Sequence, residues 1–161
     1  MHSDLKSFLV MLYWKYKYVI TFYDDFTSHA WTMPLRFKAA VITAAKDFLE
    51  MVHIQHNAQV VGWMSDAGRK YKSELFDRAL LKRGIRTLMD KSESMCHQAC
   101  IPDSWWEFAF AHTTHIYNHT LVARLKWCTP HEMFKGEMPI IDYLHIFGCG
   151  AFVYPPAMVP T

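Results

Sequence analysis

Residues 16–35 carry two runs of aromatic and β-branched residues, YKYVITFY and AWTMPL, broken by Asp24-Asp25 and a short polar stretch. Such residues fit a pleated, half-buried surface, and the break leaves each run at strand length, so the segment predicts an antiparallel hairpin. Pro34 cannot donate to a ladder, which puts the second strand at an edge. A hairpin this apolar needs a cover, and the next segment supplies one. Val41, Ala44, Ala45, Phe48, Leu49 and Val52 recur at helical spacing and predict an amphipathic helix over 39–56.

Further along, residues 59–64 (QVVGWM) read as a short strand that stops at the turn Ser65-Asp66-Ala67-Gly68. Residues 73–83 read as a helix closed by Gly84, with one more strand at 85–88. Ser104 with Glu107, and Thr129 with Glu132, have capping-box spacing and predict two helix starts, the second with Pro130 at the first helical position. Residues 144–154 (LHIFGCGAFVY) read as a closing strand pair bent at its glycines. The pattern is α/β: a mixed sheet of about five strands flanked by helices, with a mainly helical C-terminal half. One domain over 1–154 and a loose tail over 155–161 account for the chain.

Composition narrows the class. The chain of 161 residues is 52% hydrophobic and 20% charged, a balance that supports a packed core and excludes a disordered polymer. Apolar runs fall far short of the ~18 residues of a membrane span, so no membrane partner is expected. No secretory leader is legible, and four cysteines do not make a disulfide framework. The expectation is an intracellular protein, nuclear or cytoplasmic. Net charge is only +2, but residues 68–91 hold eight bases against three acids. Arg69, Lys70, Lys72, Lys82, Arg83 and Arg86 are the candidate phosphate-facing residues of that block.

Three acids fall where strands begin or end: Asp4, the Asp24-Asp25 pair and Asp66. Carboxylates gathered at a sheet end can share Mg²⁺, a hard cation that takes oxygen ligands, and two such ions form a clamp for phosphoryl transfer. By spacing alone, a strand-end Asp is more often a turn former.

The segments HSDL, KYKYVITFYDDFTSHAWTMPLRFK, MSDAGRKYKSELFDRALLKRGI, IPDSWWEFAFAHTTHIYN and TPHEMFKGEMPIIDYLHIFGCGAFVY, in that order, resemble the integrase catalytic core of copia-type LTR retrotransposons. The resemblance covers nearly the whole chain. It implies an RNase H-like fold and a chemistry in which three carboxylates bind two Mg²⁺ or Mn²⁺ ions, trim the ends of the element's DNA and join them to target DNA. It implies DNA as partner and a possible homo-oligomer. Asp4 matches the first catalytic acid and Asp66 the second, both as metal ligands. Asp24 and Asp25 match a familiar pair that is not usually a ligand, and turn hydrogen bonding is their expected role.

The chain departs from the pattern at the third acid. Arg86 runs straight into Thr87, so about twenty family positions are missing there, the catalytic Glu among them. Asp90 and Glu93 match positions further down the helix that carries that Glu and should not reach the metal. Arg69 and Lys70 replace a Gly and a Glu and set two cations beside Asp66, opposing Mg²⁺. Only three residues precede Asp4, so the first strand is expected to be a stub. The expected protein is therefore an integrase core whose ancestral role is DNA integration and which has lost turnover. The alternative is a domesticated module that binds nucleic acid or protein without catalysis.

Other clusters have plainer readings. Cys96 and Cys100 lack two further zinc ligands at usual spacing and read as buried thiols. His112, His115 and His119 read as polar packing on a core helix. Trp105 and Trp106 read as helix anchors.

Overall fold

The computed structural model describes residues 1–8, 15–57, 59–65 and 75–152, with the side chains of 64–65 and 75–86 outside the description. Its centre is a sheet of order β3-β2-β1-β4. The strands are β1 (His2–Ser7), β2 (Tyr18–Tyr23), β3 (Ala30–Leu35) and the two-residue β4 (Met64–Ser65). The first three are antiparallel neighbours; β4 runs parallel to β1. The hairpin forms where its sequence places it, and the exposed Pro34 lies on edge strand β3. β1 is not a stub: it has six residues, as many as β2 or β3, and lies inside the sheet.

Helix α1 (Val41–His56) follows a single 3-10 turn and ends at Asn57, in the left-handed region at φ 47°. Its stripe of Ala44, Phe48 and Val52 is buried on Ile20, Phe22 and Leu35, the residues of β2 and β3 that face it. Phe22 and Phe48 stack at 4.1 Å, and Trp31 and Trp63 meet Phe48 edge-on at 5.3 and 6.1 Å. Leu49, at the border of the stripe, is left exposed.

The other face of the sheet is covered by α2 (Leu75–Ala99) and α3 (Trp106–Asn118). Val19 and Ala30 of the sheet pack there with Leu88 of α2 and Phe110 of α3. The architecture is thus mixed α/β in three layers. A short helix, α4 (Pro130–Lys135), follows. Thr129 caps it by accepting a hydrogen bond from the Glu132 N–H at 3.0 Å, as its sequence predicts.

Four expectations are corrected. First, Gly84 does not end a helix and residues 85–88 are not a strand, because α2 runs unbroken for 25 residues. A helix-interior Gly costs only about 1 kcal/mol against Ala, and burial of Leu88 against Val19 and Phe110 outweighs it. Second, of the 59–64 run only Met64 is paired, and the strand goes on to Ser65. Met64 lies opposite His2, so the residues before it have no β1 residue beside them, and Val61 is fully exposed. Third, residues 144–152 are irregular, with one turn at Phe147-Gly148, instead of strands, and residues 153–154 of the expected pair lie outside the described residues. Gly148, at φ 82°, approaches the end of α2 so closely that a Cβ there would lie 2.4 Å from the Ala99 Cβ, which seats this part of the segment on the helix end. The described sheet therefore has four strands where about five were expected. Fourth, Ser104 caps nothing by its side chain; α3 is entered through a 3-10 turn, Asp103–Trp105.

Candidate active site

Asp4 is the third residue of β1 and pairs with Thr21 of β2. Side chains alternate along a strand. Leu5 packs into the α1 core, so His2 and Asp4 share the opposite face, with Val19, Thr21 and Tyr23. Asp4 is half-buried and Thr21 buried, on the side of the sheet that α2 and α3 cover.

β4 lies on the other side of β1. Its described pairs are His2 with Met64 and Ser3 with Ser65. The last of these joins the residues that immediately precede Asp4 and Asp66. Trp63 supports the approach by donating its indole N–H to Ser3 Oγ at 3.2 Å. Asp66 itself lies outside the described residues, as do Arg69, Lys70 and Lys72.

The Asp24-Asp25 pair does what a turn pair does. Asp24 Oδ2 accepts hydrogen bonds from Thr27 N–H at 2.9 Å and Thr27 Oγ1 at 2.7 Å. Asp25 Oδ2 lies 2.5 Å from His2 Nε2, without the alignment of a hydrogen bond, and 3.9 Å from the amino terminus. The contact is an ion pair whenever the imidazole is protonated. The Asp25 backbone C=O accepts from the Arg124 guanidinium at 3.0 Å, and Arg124 also donates to Ser28 Oγ. Both carboxylates are thus engaged at the β2–β3 turn.

Asp90 and Glu93 are exposed on α2, whereas Leu88 and Ser92 are buried beside them. The helix therefore turns its apolar and hydroxyl face inward and these two acids outward. Lys82, Arg83 and Arg86 lie on the α2 backbone; their side chains are outside the description. Lys91 is exposed.

Among the described residues no group of three His, Cys, Asp or Glu side chains converges to hold a metal ion. Cys96 is buried, and burial pushes its thiol up from the ordinary range. Cys100 is exposed, a correction to its reading as a buried thiol: the last turn of α2 ends there, at φ 52°. Trp106 stacks on Phe110 at 4.8 Å, while Trp105, 44% exposed, lies 5.6 Å from the Phe108 ring. No helix among the described residues is long and apolar enough to cross a membrane.

Sequence reasoning missed Asn118. Its Oδ1 accepts from the Ala30 N–H at 2.9 Å and its Nδ2 donates to the Ala30 C=O at 2.7 Å. The amide stands in for a neighbouring strand at the outer edge of β3 and ties α3 to the sheet. Only an Asn near the end of a helix pattern could have hinted at it. Also missed was the Tyr23–Tyr117 hydroxyl pair at 3.2 Å; burial and that hydrogen bond raise the Tyr117 phenol.

No protein-family model matches the chain. It is similar to the Retrovirus-related Pol polyprotein from transposon RE1 of Arabidopsis thaliana, 24% identical over 169 residues, which takes in 94% of this chain and 12% of that polyprotein. It is also similar to the Retrovirus-related Pol polyprotein from transposon TNT 1-94 of Nicotiana tabacum, 25% identical over 160 residues, 87% of this chain and 12% of the relative. The polyprotein from transposon RE2 of Arabidopsis thaliana is 23% identical over 169 residues, again 94% and 12%. The chain spans about an eighth of the length of these relatives. The matched stretch relates it to a region of retrotransposon polyproteins. Because 94% of 161 residues is about 151, an alignment 169 positions long leaves about 18 with no residue of this chain opposite.

Proposed function

We propose that this chain is the integrase catalytic core of a copia-type LTR retrotransposon polyprotein, of RNase H-like fold, and that this copy binds DNA but does not join it. The observation that carries the reading is the Ser3–Ser65 pair of β1 and β4, which precedes Asp4 and Asp66, the two acids the resemblance names as ligands. An interior β1 in a mixed sheet with helices on both faces supports the fold assignment.

Asp4 and Asp66 are hard oxygen donors suited to one Mg²⁺ or Mn²⁺ in common. Such an ion supplies Lewis-acid stabilisation of a phosphoryl group when bound. Two-metal transfer needs a further carboxylate, and none of the four acids the sequence singles out supplies it: Asp24 and Asp25 are engaged at the turn, and Asp90 and Glu93 are exposed on α2. The donors Asp4 and Asp66 fit one ion and not two. The missing positions are assigned to the Arg86–Thr87 junction. The alignment of about 151 residues across 169 positions, and the unbroken α2 through that junction, support the assignment.

The test is a strand-transfer and end-trimming assay in Mg²⁺ and Mn²⁺ with the purified chain, paired with DNA binding as salt is raised. The reading expects no product above background. It also expects affinity that falls steeply with ionic strength and a shallower salt slope for Lys82→Ala/Arg83→Ala/Arg86→Ala. Joined DNA ends that vanish with Asp66→Asn would show a complete site and defeat it. Salt-independent affinity, or none at low salt, would remove the DNA-binding half.

A further inference from the structure

Four elements bring imidazoles together on the side of α3 that α4 covers. His115 and His119 of α3 have ring centroids 4.2 Å apart at 34°, and His119 meets His131 of α4 at 4.7 Å and 35°. His29, from the β2–β3 turn, lies 4.9 Å from Phe134 of α4, and His56, at the end of α1, lies 4.7 Å from the same ring. The stack is built for neutral rings. His119 Nδ1 lies 2.7 Å from the His115 backbone C=O. A carbonyl only accepts, so Nδ1 carries the proton and Nε2 is bare in the neutral ring. His29 is 8% exposed, and its Nδ1 is buried with no hydrogen-bond partner.

We infer that this cluster is an acid-opened clasp: the rings of His29, His115 and His131, joined through His119 and Phe134, hold α4 on α3 and the β2–β3 turn, and release it as His29, His115 and His131 take up protons. Two imidazoles in tilted ring contact attract when uncharged and repel when both are cations. The surroundings oppose charge from every side. His29 faces His56 of α1, His119 of α3, and His131 and Lys135 of α4. His131 faces His115, His119 and Lys135, with Glu137, just past α4, as its one favourable charge. His115 faces His112 and His119 and bonds the Tyr143 hydroxyl at 2.8 Å. Burial and these like charges hold His29 down to about 3 and lower His56, His115 and His131.

The proposal requires no metal and no DNA, so it stands or falls apart from the integrase reading. Hydrogen exchange on the full chain tests it. Protection of the α4 amides, corrected for intrinsic chemical exchange, is compared at pH 7.5 and pH 5.0, with β2 and β3 as reference. The clasp predicts that α4 loses at least tenfold more protection than the reference strands. It also predicts that His119→Gln/His131→Gln cuts the extra loss sharply, and that His29→Phe, which keeps a ring beside Phe134, reduces it. Should His29→Phe fail to fold, the double variant decides alone. Protection of α4 that tracks β2 and β3 at both pH values overturns the proposal. So does a pH effect that survives intact in the double variant.

Discussion

The two faces of the sheet are built on different chemistry. The α1 face is an aromatic and aliphatic core in which Phe22, Phe48, Trp31 and Trp63 pack ring on ring. The α2–α3 face mixes Val19, Leu88 and Phe110 with the buried polar side chains of Thr21, Ser92, Thr113 and Asn118. Asp4 belongs to the second face. A face that must tolerate a carboxylate carries hydroxyls and amides around it and gives up part of its hydrophobic driving force. The opposite face then supplies more of the stability, and the division can be tested residue by residue.

The largest effect belongs to the aromatic face. Phe48 is fully buried and touches three other aromatic rings. Phe48→Ala should destabilise the chain by about 3–5 kcal/mol, read as a shift in urea midpoint at constant slope. A cost below about 1 kcal/mol would mean that the stacked rings do not carry this face.

The polar face should fail through unmet hydrogen bonds. Asn118→Ala leaves both the N–H and the C=O of Ala30 without their partners. Each such buried group costs about 1–3 kcal/mol, partly offset by water reaching the edge of β3, so a loss of about 2–3 kcal/mol is expected. Asn118→Asp restores only the acceptor and should recover part of it. If Asn118→Ala costs more than Phe48→Ala under the same conditions, the division between the faces is reversed.

Acid should act on the polar face and its neighbours. His29 falls from an ordinary value of 6.5 to about 3, because burial and the surrounding imidazoles and Lys135 disfavour its cation. Between those values the unfolded chain binds a proton that the native chain refuses. The stability this group contributes is therefore complete above about pH 6.5 and is lost as pH falls toward 3, at up to about 1.4 kcal/mol per pH unit. From pH 7 to pH 5 the loss from His29 is about 2 kcal/mol, measurable by urea denaturation at each pH, and His29→Phe should flatten the profile between pH 6.5 and 5. A profile as steep in the variant as in the parent would assign the acid sensitivity to other groups.

The two faces also differ in how far the sequence discloses them. The hairpin and α1 are legible because a period of two and a period of 3.6 run through contiguous residues, each with a partner next to it in the chain. Asp4 is legible by resemblance, although it stands third in the six-residue β1 and not at a strand end; Asp66 lies outside the described residues. The second face is assembled from residues far apart in sequence: Val19 with Leu88 and Phe110, Ala30 with Asn118. No local pattern marks such meetings. The apolar residues of 144–152 look like a strand, yet the segment is irregular: Ile146 and Phe152 remain exposed and Gly148 fits against Ala99.

The smallest predicted effect addresses that misreading at its sharpest point. Gly84 was expected to stop a helix because Gly readily takes the left-handed conformation that ends one. In the fold it lies inside α2, nine residues past Leu75 and fifteen before Ala99. There it should act as any helix-interior Gly acts, costing conformational entropy on folding. Gly84→Ala should then raise stability by about 0.5–1 kcal/mol, because Ala has the higher helix propensity and fewer unfolded conformations to lose. If Gly84 instead sat at a left-handed helix stop, Ala would be strained and stability would fall. The sign of this one change, read from the thermal midpoint and the helical circular dichroism signal, separates a continuous α2 from two helices joined at a turn. A fall would return residues 85–88 to the strand that the sequence pattern favoured, and with it a fifth strand for the sheet.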